Sequence, residues 1–263
     1  MPERVQDSHK GTFGRVLNVS GSDYMMGAAY LSSLSALTVG CGYVFLCTSE
    51  RVIDAVAAQS QNVVFCPLSD LENQVNSADV LLIGCGLSTS EQAASIFDRT
   101  MNSVGDIPVV IDADGLNILA QHQDIKLPKK LILTPHPKEA SRLLGVDVQT
   151  ILSDMEHWAK EISRKFSCVT VLKSHRTVVC SKNLEIYVNN TGCSALAKAG
   201  SGDVLAGIIA GLLAQKCEEY YAAELGVYLH GLCGDIAKND LTEYGVLASD
   251  QIRFIPYAIK SLL

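Results

Sequence analysis

The sequence predicts an α/β fold: a three-layer α/β/α sandwich around a mostly parallel central sheet. Nine strand-length apolar runs, rich in Val, Ile and Leu, recur along the chain, and longer segments of helical period separate most of them. Strands that read as continuously apolar are buried on both faces, which requires helices above and below the sheet. The chain has 263 residues, 48% of them apolar, and no linker, low-complexity tract or internal repeat. One domain over residues 1–263 is therefore expected, with residues 1–8 as a flexible N-terminus.

Taken in order, GRVLNVS (14–20) reads as the first strand and residues 25–39 as the first helix. YVFLCT (43–48) is a strand and 50–59 a helix; NVVFC (62–66) and DVLLIG (79–84) are strands, followed by a helix over 90–104. PVVID (108–112), KLILT (130–134) and CVTVLK (168–173) continue the buried set. TVVCS (177–181) and LEIYVNN (184–190), parted by Lys182-Asn183, read as a hairpin at the sheet edge. Helices over 203–215, 219–238 and 249–261 complete the chain.

The net charge is −7 with Lys and Arg scattered, so the basic stripe that a nucleic-acid partner demands is absent. Nine cysteines, an odd number lying mostly in apolar runs, without a C-x-x-C pair, argue against a disulfide framework or a zinc site. A reducing, cytoplasmic setting is expected. Residues 24–49 carry no charge and are long enough to span a bilayer, but Ser32, Ser33, Ser35, Thr38 and Gly40-Cys41-Gly42 interrupt them. A buried helix, a glycine turn and a strand account for that stretch better than a membrane span.

Ligands of such sheets lie beyond the carboxyl ends of the strands, so the turns there are where chemistry is sought. The strongest signal is the Gly200-Ser201-Gly202-Asp203 turn before an apolar helix. The first N–H groups of a helix have no internal partner and its dipole favours an anion there, while glycines let a phosphate approach. Asp203 is then either an acid that complements the dipole or a base that takes a proton from an attacking hydroxyl. Gly84-Cys85-Gly86-Leu87 permits either a tight exit or close ligand approach. Thr134-Pro135-His136-Pro137-Lys138-Glu139 holds His136 rigidly where a strand passes into a helix. Small residues at 27–29 would admit a flat ligand, although their spacing does not match a dinucleotide fingerprint. Asp112 and Asp114 at a strand end could be a metal pair, but they are expected to point to opposite faces, which leaves one of them to orient Mg²⁺ or water.

Together, HKGTFGRVL, GAA, IGCGL, IDADGLN, LTPHPKEASRLLG, VLKSHRT, NNTGCSALAKAGSGDVLAGIIAGLLAQ and YLHGLCGD closely resemble the ADP- or ATP-dependent NAD(P)H-hydrate dehydratases of the ribokinase-like superfamily. The resemblance runs from about residue 9 to the C-terminus. It implies a repair enzyme that phosphorylates the ring hydroxyl of NADH hydrate or NADPH hydrate and expels phosphate, with Mg²⁺ and ADP or ATP as co-substrate. It also implies a hydrate site at Ala28, Gly86, His136 and Asp203, with Asp203 catalytic. The nucleotide would lie on Lys173, Ser174, His175, Arg176, Thr177 and Gly202, with Gly200, Ser201 and Gly202 as the anion hole. Glu139 falls where the superfamily places a carboxylate that organises Mg²⁺, and His136 replaces the usual Asn of that motif.

The chain departs from the family pattern at Cys85 (usually Pro), Ser174 (usually Gly), Gly115 (often Ala) and Ala199 (usually Gly). Cys85 and Gly115 are expected to be neutral, whereas Ser174 bears on the backbone under the nucleotide. Only a short segment precedes the first motif, so the partner epimerase for the two hydrate epimers is expected on a separate chain. Family habit and the apolar composition point to a homo-oligomer, with a tetramer favoured. The alternatives are a vitamin-precursor kinase of the same superfamily and a nucleotide-binding protein without turnover.

Overall fold

Each of the nine apolar runs forms a strand in the computed structural model, which describes residues 1–122 and 124–263. The strands are β1 (Arg15–Val19), β2 (Tyr43–Thr48), β3 (Val64–Pro67), β4 (Val80–Ile83) and β5 (Val109–Ile111), then β6 (Leu131–Leu133), β7 (Val169–Leu172), β8 (Val178–Cys180) and β9 (Ile186–Val188). They form one sheet in the order β3-β2-β1-β4-β5-β6-β7-β8-β9. Pairings from β3 through β7 are parallel. The expected hairpin forms the antiparallel edge β7-β8-β9. The strand order reverses between β1 and β4, which places a ligand crevice at their carboxyl ends.

The helices are α1 (Met26–Val39), α2 (Glu50–Ala57), α3 (Leu71–Ser77), α4 (Glu91–Ser103), α5 (Asp114–Gln121) and α6 (Pro137–Leu144). They continue with α7 (Val148–Ser153), α8 (Met155–Phe166), α9 (Ser201–Ala214), α10 (Glu219–Gly245) and α11 (Ala248–Lys260). One core joins one face of the sheet to α1, α2, α9, α10 and α11, through residues such as Val16, Leu46, Leu82, Ile208 and Leu212. Another joins the opposite face to α3–α8, through Leu17, Leu81, Ile83, Phe97 and Ile162. This is the three-layer arrangement the sequence predicts. All nine cysteines are free.

The uncharged stretch becomes α1 and β2. Among the described residues, no helix is long and apolar enough to cross a membrane. Buried hydroxyls on α1 are satisfied within its own helix and by β1: Ser32 Oγ donates to Ala28 O at 2.7 Å, and Asn18 Nδ2 donates to Ser32 and Ser33 at 2.9 Å each. Helix α9 lies directly on α1, because a Cβ at Gly207 would stand 2.2 Å from Ser32 O and one at Gly211 2.6 Å from Ala36 O. That contact fixes the start of α9 against the sheet.

One boundary differs from expectation in a way that matters. Helix α9 begins at Ser201, so Asp203 lies inside its first turn rather than opening it. In the segment 1–8, Arg4 stacks on Phe13 at 3.9 Å and bonds Gln215 at 3.2 Å.

Candidate active site

The site is built from strand exits. At the end of β5, Asp112 is buried and accepts from Thr134 Oγ1 at 2.7 Å. Its other partner is Lys173, from the end of β7, whose ammonium forms an ion pair with it and lies 3.9 Å from Glu139 Oε2. Burial alone would lower the Lys173 pKa, but Asp112 and Glu139 outweigh it and the net shift is upward. Lys173 is thus a fixed cation beneath the α9 turn, where a Cβ on Gly202 would lie 3.5 Å from its Nζ.

Asp112 and Asp114 do part, but not by strand alternation, which puts residues two apart on the same face: β5 ends at Ile111 and Asp114 is already the first residue of α5. Asp112 faces this cluster, while Asp114 accepts from Ser88 N at 2.8 Å and anchors the loop after β4. Between them Ala113 has φ of 50°, a left-handed conformation that a residue with a side chain adopts at a cost.

Asp203 is partly buried beside Asp112 and Cys85; their acceptor and sulfur atoms gather within 4.8 Å. Burial, reinforced by Asp112, pushes the Asp203 carboxyl up to about 6, while the Cys85 thiol and Lys173 pull the other way. Cys85, expected to be neutral, therefore sits inside the charged cluster. Its thiol is fully buried and held protonated, first by burial and then by Asp203 and Asp112.

The turn itself needs Gly200, whose φ is 90° and whose added Cβ would meet Leu31 at 2.5 Å. Ser201, which also lines the large cavity described below, has its donors engaged within the protein. Its N–H donates to Lys198 O at 3.2 Å, and its hydroxyl lies 3.1 Å from both His230 Nε2 and Gln251 Oε1. Val204 N–H is used by Gly200 O. At this helix start the N–H groups of Gly202 and Asp203 donate to no partner among the described residues, and neither does that of Gly200.

His136 is the N-cap of α6. Its Nδ1 accepts from Lys138 N at 3.1 Å and Glu139 N at 3.2 Å, while Glu139 Oε2 accepts from His136 N at 2.8 Å. This reciprocal box puts the imidazole proton on Nε2, 3.3 Å from Glu139 Oε1. Burial and the nearby Lys173 lower the His136 pKa, and the ring stays neutral at physiological pH. Glu139, buried, has its carboxyl pushed up to about 7, Lys173 opposing that shift and Asp112 adding to it.

A cavity of about 680 Å³ opens beside this cluster. Lys173, Ser174, His175, Thr177 and Gly202 line it; Arg176 is on the same loop but is not part of the wall. The loop is closed by Thr177, whose Oγ1 accepts from Ser174 N at 3.3 Å and donates to Ser174 O at 3.1 Å. Ser174 does not adopt a positive φ, so the side chain in place of glycine fits without strain. The opposite wall comes from Asn189, Thr191, Lys198 and His230, which the sequence reading did not single out although the quoted motifs contain them. Ala28 and Gly86 meet on the other side of the cluster, where a Cβ on Gly86 would lie 2.7 Å from that of Ala28.

The profile of the NAD(P)H-hydrate dehydratase family matches residues 16–257. The chain belongs to this family. It is 39% identical over 239 residues to the ADP-dependent (S)-NAD(P)H-hydrate dehydratase of Neisseria meningitidis, covering 89% of this chain and 81% of that protein. The crystal structure of the Bacillus subtilis ADP/ATP-dependent NAD(P)H-hydrate dehydratase, co-crystallized with ATP/Mg²⁺, superposes with a TM-score of 0.91 at 32% identity, covering all of this chain and 95% of that one. A bifunctional NAD(P)H-hydrate repair enzyme of Moorella thermoacetica is 36% identical over 277 residues, and this dehydratase-family chain spans about half of its length, 52%. The ribokinase-like fold is thereby established for the family member described here.

Proposed function

We propose that this chain repairs hydrated nicotinamide cofactors. With ADP or ATP as donor it returns the S epimer of NADH hydrate or NADPH hydrate to the working cofactor, leaving phosphate and AMP or ADP. The observation that carries the reading is Asp203: a carboxyl raised to about 6, at a helix start with free donors, between a large cavity and the Ala28–Gly86 seam.

In the first step the ring hydroxyl oxygen attacks the terminal phosphorus and Asp203, mostly ionised at neutral pH, takes the hydroxyl proton. The bond from that phosphorus to the nucleotide breaks, and AMP or ADP leaves. The N–H groups of Gly202 and Asp203 face the transferring group, and Lys173 beneath the turn offsets its charge. In the second step the carbon–oxygen bond to the new phosphate breaks, the adjacent ring carbon loses a proton to solvent, and the ring double bond re-forms. His136 is committed to capping α6, so it contributes a neutral, rigid ring surface rather than a base.

The donor set fits Mg²⁺ carried on nucleotide phosphates. Asp112 and Asp203, gathered with Cys85, offer hard oxygen, with Glu139 nearby across Lys173, and the protonated Cys85 thiol does not compete. Glu139 has both oxygens engaged by His136, so it would hold the hydrated ion through water; the ion supplies charge neutralisation on the phosphates. We further assign the chain to a soluble cytoplasmic homo-oligomer, a tetramer, working beside a separate epimerase. The bifunctional name of the longer Moorella thermoacetica relative supports that pairing. Sedimentation of the purified chain tests the assembly.

The deciding assay follows recovery of NADH absorbance from NADH hydrate with ADP and ATP side by side, together with released phosphate. Dehydrated cofactor plus free phosphate is expected. A stable phosphoester would mean a small-molecule kinase instead.

A further inference from the structure

Two of the free cysteines are neighbours across strands. Cys47 on β2 and Cys66 on β3 are register partners in the parallel pair. Adjacent strands run about 4.8 Å apart, inside the span of roughly 4.4–6.8 Å between Cα atoms that a disulfide bridges. Both side chains join the same core, so they leave the sheet on one face. Each sulfur leans over the other strand: Cys47 Sγ lies 3.6 Å from Pro67 O, and Cys66 Sγ 3.6 Å from Leu46 O.

The two thiols are chemically unequal. A hydrogen bond from the Cys47 thiol to the Cys66 sulfur draws Cys66 below the ordinary thiol range; Arg15 adds to that effect, while burial and Asp70 oppose it. The same bond, together with burial, pushes Cys47 up. Arg15 is held over this face by its guanidinium, which stacks on the Phe45 ring at 3.6 Å. Every other cysteine is raised, chiefly by burial, so Cys66 is the thiol most ready to ionise. Cys47 and Cys66 are only 1% and 4% exposed. Cys47 nevertheless forms part of the wall of a cavity of about 450 Å³, wide enough for a molecule as small as hydrogen peroxide.

We infer that Cys47 and Cys66 form a modification site, a dithiol that a hydroperoxide converts to a reversible disulfide. The Cys66 sulfur attacks one peroxide oxygen and becomes a sulfenic acid; the O–O bond breaks, and the other oxygen leaves as water with the thiol proton. The Cys47 sulfur then attacks the sulfenic sulfur. The S–O bond breaks, and the Cys47 proton departs with that oxygen as a second water. Two thiols and one hydrogen peroxide thus give one disulfide and two waters, the sulfurs being oxidised and the peroxide reduced. The bridge fastens β3, the strand at the sheet edge, to β2, and a dithiol reductant reopens it. None of this chemistry involves the nucleotide or Asp203.

The test treats the reduced full chain with hydrogen peroxide under native conditions, then unfolds it in an alkylating reagent and counts the thiols. Two of the nine should be lost, and the proteolytic map should show Cys47 joined to Cys66. Dithiothreitol should return all nine. Cys66→Ala should lose none, and Cys47→Ala should stop at a sulfenic acid that dimedone labels on Cys66. Should either variant fail to fold, the wild-type map decides alone. Nine thiols remaining after peroxide, or a bridge between any other pair, overturns the inference. Undiminished thiol loss in folded Cys66→Ala does the same.

Discussion

Helices α6 and α9 both bring an N-terminus to the ligand edge of the sheet, yet they dispose of their orphan donors in opposite ways. At α6 the donors are consumed internally: His136 accepts two of them and Glu139 reaches back to His136 N, so nothing is left for an anion. At α9 the N-cap is Gly200, which has no side chain to offer, and Ser201 is turned away into His230 and Gln251. The first helix is finished and rigid, whereas the second is left open toward Lys173 and the large cavity. A helix start is a phosphate site only when its own sequence declines to cap it.

The sharpest way to break this comparison is at the open turn. Asp203→Asn keeps the fold and the donors but removes the base, and it should lower nucleotide-dependent recovery of NADH about 10²- to 10⁴-fold. Near-wild-type rates in the absorbance assay would reduce Asp203 to a first-turn acid and erase the functional difference between the two helices.

Next in size is the cation that serves both turns. Lys173→Met leaves Asp112 and Glu139 buried without their partner, and breaking such a cluster from one side costs about 3–5 kcal/mol. Urea unfolding should show that loss alongside lost turnover. Stability near wild type would mean that the two carboxyls simply take up protons.

The fold was legible because its strands announce themselves: runs such as DVLLIG are buried on both faces and need no partner to be recognised. Helices α3, α5, α7 and α8 were not delineated, being short or amphipathic without strong stops. The site was legible only where one segment carries the whole signal, as Gly200–Asp203 does. Asp112 was noticed, but what makes it matter is an ion pair to a residue 61 positions away, which no local pattern displays. The contacts of Ser201 were hidden for the same reason, since His230 and Gln251 reach its hydroxyl from α10 and α11.

The closed turn gives a smaller effect that separates capping from contact. His136→Ala removes the cap of α6 and should cost about 1 kcal/mol of stability. His136→Asn, an equally good cap, should restore stability while leaving KM for the hydrate raised. If Asn also restores KM, the imidazole is no part of the substrate wall.

The smallest effect concerns what the open turn costs the fold. Burial and Asp112 hold the Asp203 carboxyl at about 6, above its ordinary 3.8, so the folded chain binds this proton more tightly than the unfolded one. Stability from that proton is complete below the unfolded pKa and declines as pH rises through about 6; Glu139, held at about 7 against 4.5, acts in the same direction. Asp203→Asn is exempt from its share of the decline. The variant should therefore melt a few degrees above wild type at about pH 8, with the gap closing near pH 4. Wild-type turnover should fall on the acid side of about pH 6, where the base becomes protonated. The inactive enzyme is then the more stable one at the pH where the active enzyme works. A melting series that shows no such crossover would place the Asp203 carboxylate in a solvated setting, and the open turn would differ from the closed one in geometry alone.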